Sequence, residues 1–142
     1  MSEQTALVLL VASTWLHLGF QATVSALVYP VLAATPGASW AAAHERHSRV
    51  ITPLVGFVYG ALLVGSGASL LVAPGPAVVV AVAAVGLSLG TTALVAAPLH
   101  GRLAGAGPTP ERLRLLLVAD RWRTVGAVLA TAAASVAWLV AT

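Results

Sequence analysis

The chain contains no cysteine and no lysine, and only 8% of its 142 residues carry a charge. Without thiols it forms no disulfides and offers no thiolate to a metal. A water-soluble domain charges roughly a quarter of its residues to cover its surface, so this scarcity removes aqueous solubility as the default. What is left is apolar: hydrophobic residues make up 59% of the chain and the mean hydropathy is +0.97. The bilayer is the natural solvent for such a composition, and the length suits one compact unit. The net charge of +3 comes from seven arginines against four acids. It flanks apolar runs and forms no solvated stripe, so no nucleic-acid partner is expected. An Ala/Val/Gly/Arg-rich chain without Lys or Cys is typical of high-GC bacterial genomes, which makes the bacterial cytoplasmic membrane the expected location.

Hydropathy divides the chain into spans over about 5–32, 48–72, 77–99 and 118–140. The expected fold class is all-α: an integral membrane four-helix bundle, one domain over residues 1–142. Breaks fall at Thr35-Pro36-Gly37 and Pro74-Gly75-Pro76, and the Gly/Pro-rich stretch from Gly101 to Pro110 reads as a loop. Ser39 is the expected N-cap of the second helix, and Thr109-Pro110-Glu111 reads as the start of the last. The first apolar run has Glu3 as its only early charge and is too long for a signal peptide, so it reads as a retained span. All seven arginines lie in or beside the connections between spans 1 and 2 and between spans 3 and 4. The positive-inside rule then predicts cytoplasmic connections there and both termini outside. Gly56 and Gly60, with Gly65, Gly67, Gly86 and Gly90, predict close helix packing, and the same spacing also suits a homodimer contact.

Polar residues inside spans are costly and therefore become candidate functional groups. Span 1 carries His17 and Gln21 on one face, with Tyr29 two turns beyond. The second helix opens with His44-Glu45-Arg46-His47, whose two histidines face the same side, and Tyr59 lies deeper. Span 3 ends at Pro98-Leu99-His100-Gly101-Arg102. Span 4 carries Asp120-Arg121-Trp122-Arg123-Thr124, where Asp120 and Arg123 are spaced to pair and Arg121 to snorkel. Gln21, Tyr29, His44, His47, His100, Asp120 and Arg123 come from all the spans and gather toward one membrane face. They predict a pocket with apolar walls and a polar, cytoplasm-facing floor, suited to an amphiphile entering from the inner leaflet.

In this order the residues resemble a group of short four-span bacterial membrane proteins of unassigned function. The matching elements are Gln21, Tyr29-Pro30, His44 and His47, Pro98-Leu99-His100-Gly101-Arg102-Leu103, and Trp122-Arg123-Thr124, over most of the chain. More distantly the layout is similar to anthrone oxygenase-like four-span proteins. That similarity implies oxygenation or oxidation of a lipophilic aromatic, polyketide- or terpenoid-like. The chain departs from the first group in carrying Tyr59 near where an acid is common in the second span.

The expected function is accordingly a membrane enzyme acting on a lipophilic small molecule. His44 and His100 are the expected acid–base groups, and Arg123, held by Asp120, the oxyanion stabiliser. Gln21, Tyr29, Tyr59 and Trp122 are the expected substrate contacts. His44, His47 and His100 form a candidate ligand set for copper or iron. A cofactor-free cyclase or isomerase, a binding or transport protein, and a haem-bearing electron carrier remain as alternatives. The last requires facing histidines within the bundle.

Overall fold

A computed structural model describes all 142 residues as helices joined by short turns. Four helices are long and apolar enough to cross a membrane: α1 (Glu3–Ala33), α2 (Gly37–Val72), α3 (Pro76–Ala106) and α4 (Pro110–Ala141). The chain is thus a four-helix bundle of the multi-pass type, in which each helix satisfies its own backbone groups in a solvent that offers none. At ~1.5 Å per residue each helix is longer than the ~30 Å hydrocarbon core, so their ends project into the interface.

Local signals account for most of the boundaries. Ser2 caps α1, its Oγ accepting from the Thr5 N–H at 3.1 Å. Thr109 Oγ1 accepts from the Arg112 N–H at 3.2 Å, with Pro110 at the first position of α4. Helix α2 starts earlier than expected, with Pro36 in the cap position and no side-chain cap. Ser39 is not the cap; it lies within the first turn and its hydroxyl donates back to the Pro36 carbonyl at 3.2 Å. The stretch expected to be a loop from Gly101 is helical to Ala106, and the chain reverses at Gly107, whose φ of 72° needs a residue without a Cβ. Two helical glycines cost about 1 kcal/mol each. Burying Leu99 and Leu103 in the core contributes about 1.5–3 kcal/mol apiece, which outweighs that cost.

Two π-helical turns interrupt the ladder, Val24–Val28 in α1 and Thr92–Ala96 in α3. Each closes one residue before a proline: the Tyr29 N–H bonds to the Val24 carbonyl ahead of Pro30, and the Ala97 N–H to the Thr92 carbonyl ahead of Pro98. Proline supplies no N–H to the carbonyl four residues back and its ring crowds that turn, so the backbone widens there.

The core is layered along the bundle axis. Leu7, Leu10, Val78, Ala81, Ala134 and Ala137 pack near the termini. Leu62, Ala84, Val85 and Ala130 lie in the middle. Val24, Tyr29, Leu32, Trp40, Leu99, Leu103 and Leu116 fill the end that bears the arginines. Helix α1 packs closely on α2 and α4, and α4 on α3, while α2 and α3 meet only sparsely. The bundle therefore has one loosely closed side.

Close approach depends on two glycines. A Cβ on Gly65 would lie 2.7 Å from Ser13 Oγ, and one on Gly126 would lie 2.8 Å from the Ala84 carbonyl oxygen. Gly56, Gly60, Gly67, Gly86 and Gly90 have open space where a Cβ would project, so the packing role expected of them falls to Gly65 and Gly126 alone. Hydroxyls link these two helix pairs and α1 to α4 as well: Ser69 donates to the Ala6 carbonyl, Ser88 to that of Arg123 and Thr131 to that of Thr14, at 2.9, 2.9 and 3.0 Å.

Candidate active site

The π turns govern how the site is built. Gln21, Ser25 and Tyr29 recur every fourth residue along α1, and Thr92, Ala96 and His100 do the same along α3. In a regular α-helix such a series drifts about 40° per step around the axis. The wider π turn between them takes up the drift, so each series keeps one inward face. Such bulges are frequent at functional sites, and here two of them flank the same one.

A continuous chain of hydrogen bonds joins the four helices. Ser25 Oγ donates to Asp120 Oδ2 at 2.7 Å, and Gln21 Nε2 donates to Asp120 Oδ1 at 2.6 Å. The other end of the Gln21 amide, Oε1, accepts from Arg123 Nη2 at 2.9 Å. Arg123 Nη1 donates to the Tyr29 hydroxyl at 3.0 Å, and that hydroxyl lies 3.4 Å from His100 Nε2. His100 Nδ1 in turn lies 3.1 Å from His44 Nε2. Every bond from Arg123 onward is satisfied when Tyr29 donates to His100 and His100 donates to His44. The last bond requires at least one of the two imidazoles to present a lone pair, and so to be neutral.

The expected ion pair between Asp120 and Arg123 is not direct. The only ion pair within 4.0 Å is the exposed Arg49–Glu45 pair. Between Asp120 and Arg123 stands the Gln21 amide, which has a donor for the carboxylate and an acceptor for the guanidinium. Asp120 is thereby held behind Gln21, and the Arg123 guanidinium is left to face inward. Both charged residues are buried, at 5% and 4% exposure. Such groups persist in a low-dielectric interior only with this kind of hydrogen bonding. Arg123 Nε has no partner.

On the loosely closed side, between α2 and α3, lies a cavity of about 440 Å³, within the usual range of small-molecule sites. Tyr29, His44, His47, Tyr59, His100 and Arg123 all line it, and Phe20, Val24, Ile51, Val55 and Ala96 supply apolar wall. Arg123 is its only lining residue with a fixed charge. Tyr59 holds the deep end, its hydroxyl 2.7 Å from Thr92 Oγ1. His44 is fixed from behind by Trp40, stacked at 5.5 Å, whose indole N–H donates to the Leu103 carbonyl at 3.4 Å.

Of the residues expected to contact substrate, Gln21 acts through Arg123 and does not line the cavity; Asp120, expected to hold Arg123, lies behind Gln21. Trp122 does not join the site; it is 54% exposed on the outer surface of α4. The rings of His44, His47 and His100 are mutually 5.4–6.5 Å apart. His44 Nε2 and His100 Nδ1 face each other at 3.1 Å, and no group of three histidine or acidic side chains is gathered as a ligand set. Neither ring nitrogen of the buried His17 has a hydrogen-bond partner, and the ring it meets, edge-on, belongs to Tyr59. The facing histidine that haem would need is not there. Ser25 and Thr92 are hydrogen-bonded site residues without a signal of their own in the sequence, and Ser48 and Thr52 also line the cavity. The only pointer to Ser25 is its spacing of four from Gln21, and to Thr92 its place two such steps before His100.

No protein-family model, curated protein or solved structure matches the chain.

Proposed function

We propose that the protein is a membrane-embedded enzyme acting on a lipophilic small molecule that carries an enolisable or phenolic oxygen. The pocket would sit at the cytoplasmic end of a multi-pass bundle in the bacterial cytoplasmic membrane, an orientation supported by the arginine-bearing connections. The observation that carries this reading is Arg123. It is a buried guanidinium, the single fixed charge in the lining of the cavity, with no carboxylate in direct contact. Such a group stabilises an oxyanion that develops nearby.

The roles follow from the bond lengths. The 3.4 Å contact between Tyr29 and His100 is the longest link of the chain that runs from Ser25 to His44. A substrate oxygen entering there would meet Arg123 and Tyr29 on one side and an imidazole on the other. His100 would accept the substrate proton and His44 would share it, while Arg123 and Tyr29 hold the resulting enolate or phenolate. The sparse α2–α3 contact provides a lateral way in from the bilayer. With dioxygen as oxidant this proton removal opens the route to oxygenation, and without it to isomerisation or cyclisation.

The test uses the protein in nanodiscs with an anthrone as probe. Deuterium uptake from D2O at the acidic carbon, followed under argon, reads proton removal; oxygen consumption in air reads oxygenation. Arg123→Ala and His100→Ala are each expected to lower exchange by about 10²-fold or more while the protein stays inserted and monodisperse. Exchange at the wild-type rate in both variants removes the proposal.

A further inference from the structure

A second cavity, of about 780 Å³, lies apart from the hydrogen-bonded chain, between the last turns of α1 and the first turns of α2. Its walls are apolar and outward-facing: Leu27 and Val31 on α1, Val50 and Leu54 on α2, all strongly exposed. Its lining also includes Arg46, the only residue there with a fixed charge. From Arg46 to Leu54 the groove runs about 12 Å along α2 at the helical rise. Arg46 has no ion pair; the neighbouring Glu45 carboxylate is bonded to Arg49 at 3.2 Å. No acidic residue lines the groove.

An apolar trough in the hydrocarbon with an uncompensated guanidinium at its polar end is complementary to one kind of molecule. We propose that this groove seats an anionic phospholipid, its phosphate on Arg46 and one acyl chain along Val31, Val50 and Leu54. Guanidinium is the side chain best suited to phosphate, because its planar fork matches two oxygens at once. The charge balance selects an anionic headgroup over a zwitterionic one: the phosphate has a partner, whereas a choline or ethanolamine ammonium would find no carboxylate. His47 and Ile51 line both this groove and the cavity of the proposed active site, so the lipid would cover the outer side of the wall between them. The site rests on Arg46 and the groove alone and does not depend on the reaction proposed above.

The experiment is native mass spectrometry of the full chain released from detergent micelles with equal amounts of phosphatidylglycerol and phosphatidylcholine. The wild type is expected to retain a single phosphatidylglycerol in about fivefold preference, the ratio that about 1 kcal/mol per basic contact produces. Arg46→Gln should bring the ratio close to one. Arg121→Gln, which removes an arginine that lines neither cavity, should leave it in place. Val50→Trp, which fills the trough, should reduce retention of both lipids. Equal retention of the two lipids by the wild type overturns the proposal. So does a preference that survives Arg46→Gln, or one that falls equally with Arg121→Gln, which would mark unspecific attraction. A dimer that Val50→Trp dissociates would assign the groove to a second copy of the chain and overturn it too.

Discussion

Replacing Gln21 with leucine tests the centre of the site directly. The two side chains are close in volume, so the change opens no large cavity and acts through hydrogen bonds. It strips one bond from Asp120 Oδ1, at 2.6 Å, and one from Arg123 Nη2, at 2.9 Å. Asp120 keeps Ser25 and Arg123 keeps Tyr29. Interhelical hydrogen bonds in membrane bundles contribute about 0.6–1.7 kcal/mol each, so two of them set a range of about 1–3 kcal/mol. Both stripped partners are buried and charged, and bonds to charged groups lie at the strong end, so the expected loss is about 3 kcal/mol. Equilibrium unfolding in mixed dodecyl sulfate micelles, followed by far-UV circular dichroism, measures it. Gln21→Glu alone should lose a comparable amount, because a second carboxylate would then face Asp120. Combined with Asp120→Asn it should recover to within about 1 kcal/mol of wild type, since the asparagine amide can donate to the new carboxylate while Arg123 keeps an acceptor. A Gln21→Leu protein within about 0.5 kcal/mol of wild type, or a double variant no more stable than the singles, would refute the bridging role.

Further expectations concern packing and the cavity. Gly126→Ala should destabilise by about 1–3 kcal/mol, because its Cβ meets the Ala84 backbone carbonyl, which no rotamer change can relieve. Gly60→Ala, with nothing within 4 Å of its Cβ, should be neutral or stabilising by up to about 1 kcal/mol; thermal unfolding in detergent compares the two, and equal effects would contradict the packing described. Tyr59→Phe removes the 2.7 Å bond to Thr92 and should weaken anthrone binding in equilibrium dialysis by about fivefold, the effect of about 1 kcal/mol. Trp122→Ala, on the outer surface, should leave that affinity unchanged, and a loss of binding would place the ligand elsewhere.

The amino-acid sequence by itself determines that this chain has four membrane-length helices, and where most of them break. Apolar runs in a solvent without hydrogen-bonding partners have few other choices, and Pro74-Gly75-Pro76 and Thr109-Pro110 impose local geometry whatever surrounds them. It also determines that His44, His100, Arg123 and Tyr29 lie toward one end, because helical rise converts residue number into depth. What it leaves open is rotation about each helix axis and the partner across the interface, which depend on packing between segments far apart in the chain. Spacing along α4 makes Asp120 and Arg123 natural partners, yet Gln21, 99 residues from Asp120, inserts between them. The same dependence makes Gly126 a contact point while Gly56 and Gly60 face open space, and it turns Trp122 outward. The π turns ahead of Pro30 and Pro98 belong to both levels: the prolines remove the bonds, and the packed bundle selects the wider turn that keeps each series of site residues facing inward.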